Sequence, residues 1–295
     1  MFRDDTRVIA DSRPGGAADL HLPAESGGPA VGFTSEPMIR SARDDDYAAF
    51  ASLFPELQID DPIPSRERWR EELRHDTLVA EIGGEIRGYI NFYKLAAAGH
   101  VRNLVVAPAA RGTGVGGELM RTAAAHLKQA GIPEWHLNVK VDNTPAIRLY
   151  ERLGMAVEHR STVVALDWSS LDRMPHDDAT VLPVDPAEDD DIERALHLTS
   201  GRLAMTRRRA TRTQLQVRDA SCAPVGICVF DPDIGASPFR VARPGLAAPL
   251  IAACRRYATS PTIQLVIEDD DALADQLVAA GATVKLRLLH YLGLL

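Results

Sequence analysis

The run Arg111-Gly112-Thr113-Gly114-Val115-Gly116-Gly117 follows directly on an apolar strand, Val101 to Val106, and opens a helix carrying Met120, Ala123, Ala124 and Leu127. Strand, glycine loop and helix start in that order make an anion cradle. Glycines allow a tight turn and bring successive backbone N–H groups close to a ligand, while the positive end of the helix dipole favours negative charge. A pyrophosphate fits such a cradle. The spacing is not the G-x-G-x-x-G of dinucleotide sites, which also need an acidic residue about 20 positions on, nor the Gly-Lys-Ser/Thr ending of the P-loop. It reads Arg/Gln-x-x-Gly-x-Gly, with Arg111 in the first place.

That pattern resembles the coenzyme A loop of the GNAT superfamily, the acyl-CoA-dependent N-acyltransferases. The flanks agree. The preceding strand ends Leu104-Val105-Val106-Ala107-Pro108, close to the family's Leu-x-Val-x-Pro, and the loop helix is followed by Leu137-Asn138-Val139, Asp142-Asn143, Ala146 and Leu149-Tyr150-Glu151-Arg152-Leu153-Gly154-Met155. The resemblance covers residues 38 to 168. It implies an α/β fold of the α+β type around a mixed sheet, acetyl-CoA as cofactor, and direct transfer of an acetyl group to a primary amine.

The resemblance also implies roles for particular residues. The pantetheine arm would pair with the backbone of Leu104, Val105 and Val106, and the N–H groups of Gly112, Thr113, Gly114, Val115, Gly116 and Gly117 would hold the pyrophosphate, with Arg111 adding charge. Asn143 matches a residue that contacts the cofactor in relatives, and its plain role is an N-cap; both can hold at once. Tyr150 stands at the family position of the acid that protonates the departing thiolate, a task suited to a phenol of pKa about 10. The Val106 N–H is the candidate oxyanion donor. His100, four residues before Leu104, stands where several relatives carry a Glu base, and an imidazole of pKa about 6.5 can serve near neutral pH. A structural role for His100 is equally open, because many relatives use water chains, which Glu81 or Tyr93 could order here. Asn138 stands where some relatives carry a Glu, which closes that route.

These residues need a scaffold. From Met38 the pattern predicts a strand to Ser41, a helix from Asp44 to Leu53, a loop rich in Pro and Asp, and a second helix from near Ser65. A hairpin with arms Thr77 to Ile82 and Ile86 to Tyr93 follows, turned by Gly83-Gly84. Then come the strand from His100, the loop helix to Ala130, a strand Trp135 to Val141, a helix Thr144 to Arg152 and a closing stretch Ala156 to Asp167. In the resembled fold the loop between the first two helices shapes the acceptor site. Here it holds Glu56, Asp60 and Asp61, which could attract a cationic amine or simply be solvated.

The predicted domains are an extension at 1–36, a catalytic domain at 37–168, a linker at 169–179 and a degenerate copy of the same fold at 180–295, two such domains in tandem. In the second half Ala280-Gly281-Ala282 matches Leu153-Gly154-Met155, so Leu277 falls where Tyr150 stands. Arg243-Pro244-Gly245-Leu246 keeps one glycine where the first half has four. An unrelated α/β cap is the alternative reading of this half. The basic cluster Arg207 to Arg212 reads as a solvated helix face or an anion site.

A chain of 295 residues has room for about two domains, and a formal net charge of −8 argues against nucleic acid as a partner. No stretch approaches the length of a membrane span and the first residues lack a signal-peptide pattern, so a cytoplasmic enzyme without membrane contact is expected. Cys222, Cys228 and Cys254 match neither a metal knuckle nor a redox pair, so free thiols and no metal are expected. The acceptor would be a small molecule or a peptide or protein amine, and the chain a monomer with an internal pseudo-dimer or a homodimer. A non-catalytic acyl-CoA sensor or scaffold is the competing class; the phenol of Tyr150, which a sensor does not need, favours the enzyme.

Overall fold

A computed structural model describes residues 36–58, 62–94 and 98–295, so Asp60, Asp61 and residues 1–35 lie outside the described residues. Among the described residues two compact units divide the chain: residues up to 158 together with 290–295, and residues 159–289.

The first unit begins with β1 (Met38–Ser41) and α1 (Tyr47–Leu53), which is led in by a 3-10 turn and followed by another, Phe54–Leu57. The short α2 (Arg66–Arg68) is capped by Ser65, whose Oγ accepts from the Arg68 amide at 3.2 Å, and runs on as a π turn, Trp69–Leu73. Then follow β2 (Thr77–Ile82), β3 (Glu85–Lys94), β4 (Gly99–Val106), a 3-10 turn Pro108–Ala110, α3 (Val115–Gln129), β5 (Glu134–Lys140) and α4 (Thr144–Arg152). Strands β1 to β4 are antiparallel neighbours in chain order. Helix α3 buries Met120, Ala123 and Leu127 as read from the sequence, adds Leu119 to them, and leaves Ala124 half-buried. On the other side Phe50 stacks on Trp69 at 4.6 Å and meets Tyr89 at 5.0 Å between ring centres.

The second unit takes β6 (Ala156–Asp167) from His159 onward, then β7 (Val181–Pro183), α5 (Asp189–Ala195), α6 (Arg202–Thr206), β8 (Thr213–Arg218), β9 (Pro224–Asp231) and β10 (Gly235–Val241). After a 3-10 turn, Pro244–Leu246, come α7 (Ala247–Cys254), β11 (Thr262–Glu268), α8 (Asp271–Ala279) and β12 (Thr283–Leu294). The pairing scheme of the first unit returns: β7 to β10 antiparallel in order, β10 parallel to β11. Strand β6 lies antiparallel on β11. The fifth strand of the first unit, β5, is flanked in turn by β12, whose residues from His290 belong to that unit.

Three elements were not expected from the sequence. Strand β10 holds Gly235 and Pro238, which weaken a strand signal, and α6 has five residues, too few for a periodic stripe. Strand β12 does carry a signal, Val284, Leu286 and Leu288 alternating with Lys285 and Arg287. Of the cysteines, Cys222 is exposed, while Cys228 and Cys254 are buried as free thiols. Among the described residues no helix is long and apolar enough to cross a membrane.

Candidate active site

The glycine loop takes the shape its composition demands. Gly112 and Gly114 adopt φ of 78° and 94°, in the left-handed region, and Gly114 is the N-cap of α3. Among the described residues none of the backbone N–H groups from Gly112 to Gly117 reaches a backbone carbonyl; the first amide to do so is that of Glu118, on Gly114 O at 3.1 Å. Six successive donors at a helix N-terminus, with open space beside Gly112 and Gly114, fit a pyrophosphate.

Strand β4 supplies a second row of free donors. The Ala107 amide donates to Arg87 O at 2.8 Å, which makes Arg87/Ala107 a hydrogen-bonded pair and, by alternation along the register, Tyr89/Val105 another. Leu104 and Val106 therefore point their backbone groups at the opposite edge, towards β5. Yet β5 pairs with β4 only where Gly99 to Val101 face Trp135 to Leu137. The edge at Leu104 and Val106 is left open, so a ligand can add to it as a further strand.

The Leu153-Gly154-Met155 signature has a local physical cause. Gly154 adopts φ of 80°, its amide donates to Glu151 O at 3.0 Å, and the Met155 amide donates to Tyr150 O at 3.1 Å. This is the Schellman helix stop, in which the residue two beyond the cap ties back to the third-last helical carbonyl. It fixes the backbone of Tyr150. Asn143 caps the other end of α4, its Oδ1 accepting from the Ala146 amide at 3.3 Å. Tyr150 is 6% exposed, and burial pushes its phenol well above the usual range.

All the expected cofactor residues except Thr113 line one cleft of about 1120 Å³, together with Glu56. Thr113 turns its hydroxyl onto Ala110 O at 2.7 Å. Glu56 is engaged by Arg111, whose Nη2 donates to Oε2 at 2.5 Å while its Nε donates to Val106 O at 3.1 Å. The Lys140 ammonium donates to Gln58 O at 2.6 Å, a second tie between the loop after α1 and the cleft wall. Arg121, Arg148 and Arg152 also line the cleft. Sequence reading passed over these cations; the i, i+4 spacing of Arg148 and Arg152 was their signal.

His100 is not among the residues lining the cleft. Its ring lies 5.2 Å from that of Tyr93, and burial, aided by His136 and Arg102, lowers its pKa to about 4. Glu81 is held by Arg40 at 2.9 Å. With the imidazole neutral at any pH well above 4, the rate–pH profile is expected to show no limb near 6.5 that disappears in His100→Gln. Folding should report the same group. The unfolded chain binds a proton near pH 6.5 and the folded chain only near 4, so stability falls as pH drops through that window. Denaturant titrations across it should give a shallower fall for His100→Gln; equal slopes would contradict the depressed imidazole.

The second unit lacks the same parts. After β10 the turn Pro244–Leu246 corresponds to Pro108–Ala110, and α7 starts at the next residue, Ala247. The segment equivalent to Arg111–Gly114 is missing altogether. A carboxylate occupies the turn: the Asp177 amide donates to Gly245 O at 2.9 Å and the Arg243 Nε to Asp177 Oδ2 at 2.5 Å. A β-carbon on Gly245 would lie 2.2 Å from Asp177 Oδ1. The helix stop is retained, with the Gly281 amide on Val278 O and the Ala282 amide on Leu277 O at 2.8 Å, so buried Leu277 takes the place of Tyr150. Within the arginine cluster Arg207 pairs with Asp189, and Arg209 and Arg212 pair with buried Asp231, while Arg208 is exposed.

Comparison with known proteins gives the family. The Acetyltransferase (GNAT) family profile matches residues 39–155. An acetyltransferase of Pectobacterium atrosepticum is 34% identical over 122 residues, 39% of this chain and 84% of that protein. A mycothiol acetyltransferase of Actinosynnema mirum is 43% identical over 58 residues, 20% of each chain. Among solved structures, a GCN5-related N-acetyltransferase from Sphaerobacter thermophilus has a TM-score of 0.60 at 19% identity, covering 88% of this chain and 95% of that one. A tandem GNAT protein from the clavulanic acid biosynthesis pathway gives 0.52 at 16% identity, covering 88% and 98%. The chain belongs to the GNAT family, as an acyl-CoA-dependent N-acetyltransferase whose mixed α/β fold repeats in tandem.

Proposed function

We propose that the first unit transfers an acetyl group from acetyl-CoA directly to the primary amine of a small-molecule or peptide acceptor, and that the second unit binds no cofactor. The observation that carries this reading is that free loop amides, the open edge of β4 and Tyr150 all line one cleft. Acetyl-CoA supplies the activated acyl thioester. Gly112 to Gly117 and Arg111 bind its phosphates, and the backbone of Leu104 and Val106 holds its arm in line with the sheet. The Val106 N–H would stabilise charge on the carbonyl oxygen as the C–N bond forms and the C–S bond breaks. Tyr150 would donate a proton to the leaving sulfur, and the proton given up by the amine would pass through solvent and restore the phenol. Arg111 reaches the phosphates by exchanging Glu56 for them, a surface ion pair that costs only about 0.2–1 kcal/mol to break.

The acceptor is found by following thiol release from acetyl-CoA against a panel of amines; an enzyme releases thiol with some members and not others. Absence of turnover with every amine, alongside tight acetyl-CoA binding, would turn the reading to a sensor. Calorimetry should give one coenzyme A per chain, because the second unit lacks the loop and places the Asp177 carboxylate against Gly245. Two equivalent sites would refute this.

A further inference from the structure

One buried ring of the first unit takes no part in the chemistry proposed above. Tyr291, four residues from the end of the chain, is 1% exposed, and its ring centre lies 5.9 Å from that of Tyr150 with the planes inclined by 57°. Helix α4 itself offers Tyr150 little lateral support, since no other residue of α4 is buried. The Schellman stop fixes the Tyr150 backbone and leaves its χ angles to be settled by neighbours.

The strand that brings Tyr291 there is closely seated. The Leu295 amide donates to Pro133 O at 2.9 Å. A β-carbon on Gly293 would lie 2.4 Å from Trp135 Nε1 and 3.0 Å from Met155 Cγ, so only glycine allows this approach. Met155 is the residue whose amide holds Tyr150 O, and Tyr291 Oη lies 3.5 Å from Oε1 of the adjacent Glu151. Strand, helix stop and phenol are thus packed as one cluster.

We propose that Tyr291 is a positioning residue: carried in by the last strand, its ring holds the Tyr150 side chain in the rotamer that lines the cleft, and residues 290–295 thereby complete the catalytic unit. The inference rests on the reading of Tyr150 as the proton donor.

The test is a double-mutant cycle on the full chain, read by thiol release from acetyl-CoA with hydroxylamine, an amine already unprotonated at neutral pH. Misplacing a catalytic group by about 1 Å costs up to about 10²-fold. Tyr291→Leu should therefore lower kcat about 10- to 100-fold with the Kd for coenzyme A within about twofold, and Tyr291→Phe should restore the rate. In a Tyr150→Phe background Tyr291→Leu should cost nothing further. The same fold-loss in both backgrounds, or an unchanged rate, overturns the proposal. Failure of the underlying reading looks different, because Tyr150→Phe alone then keeps full activity.

A readout that needs no turnover is the fluorine resonance of 3-fluorotyrosine placed at position 150. It should shift or broaden in Tyr291→Leu and return in Tyr291→Phe; an unmoved resonance in the Leu variant sinks the idea. If Tyr291→Leu does not fold, Gly293→Ala, which pushes the strand back without altering Tyr291, takes its place with the same expected and overturning results.

Discussion

Tyr150→Phe is expected to lower kcat by about 10²–10⁴-fold, the usual contribution of a positioned acid, while coenzyme A affinity and thermal stability stay close to those of the parent. The ring and its packing on Tyr291 survive the change, so the variant removes a proton and little else. Burial pushes the phenol well above its ordinary range, so Tyr150 stays protonated throughout the working pH range. The rate should therefore show no decline at the ordinary phenol pKa of about 10. Steady-state thiol release over pH, with calorimetry on the same preparations, checks both parts. Full activity of Tyr150→Phe on a verified acceptor would remove Tyr150 from the chemistry.

Gly114→Asp should abolish coenzyme A binding and leave a folded protein. The residue is the N-cap of α3 at φ of 94°, with open space where a side chain would grow. A carboxylate there projects beside the loop amides and meets the phosphates with like charge. Loss of even two charge-assisted hydrogen bonds at about 1.5–3 kcal/mol each predicts an affinity loss of at least about 100-fold. The backbone strain is bounded at about 1–3 kcal/mol and is lowest for Asp and Asn among non-glycine residues. Gly114→Ala separates the two effects, since it carries the strain without the charge. Raising the salt concentration should narrow the gap between the Ala and Asp variants. Equal affinities of parent and Gly114→Asp would mean that the phosphates bind elsewhere.

The parts of the site that were legible in the sequence are short-range. The glycine cradle, the Gly83-Gly84 hairpin, the Asn143 cap and the two Leu-Gly-Met-like helix stops each close within about six residues. Their φ values and hydrogen bonds depend on residue types a turn apart, so the pattern of glycines and caps carries them. The repeat of the helix stop at Gly281, with Leu277 in the place of Tyr150, was readable for the same reason. The loop in the second unit was less so. Aligning the lone Gly245 with the four-glycine run placed it inside a segment the chain has deleted, and only the element boundaries show that α7 follows its 3-10 turn directly.

What the tertiary structure alone decided concerns partners far apart in the chain. Glu56 and Arg111, 55 residues apart, form a pair, so an acid read as an acceptor guide is bound to a cation read as a phosphate guide. Charge type is local, but which opposite charge it meets depends on how the loop after α1 lies on β4. His100 has a base's side chain, yet burial beside His136 and Arg102 makes its imidazole a weak base, and it stands outside the cleft lining. The last strand is the largest case. Alternation along Thr283–Leu294 marks a strand, and nothing within those residues says that Tyr291 packs on Tyr150, some 140 positions earlier. A strand's pleat fixes which residues face inward, whereas the sheet edge it joins is chosen by the backbone groups left unpaired elsewhere, and β5 is the edge that was open.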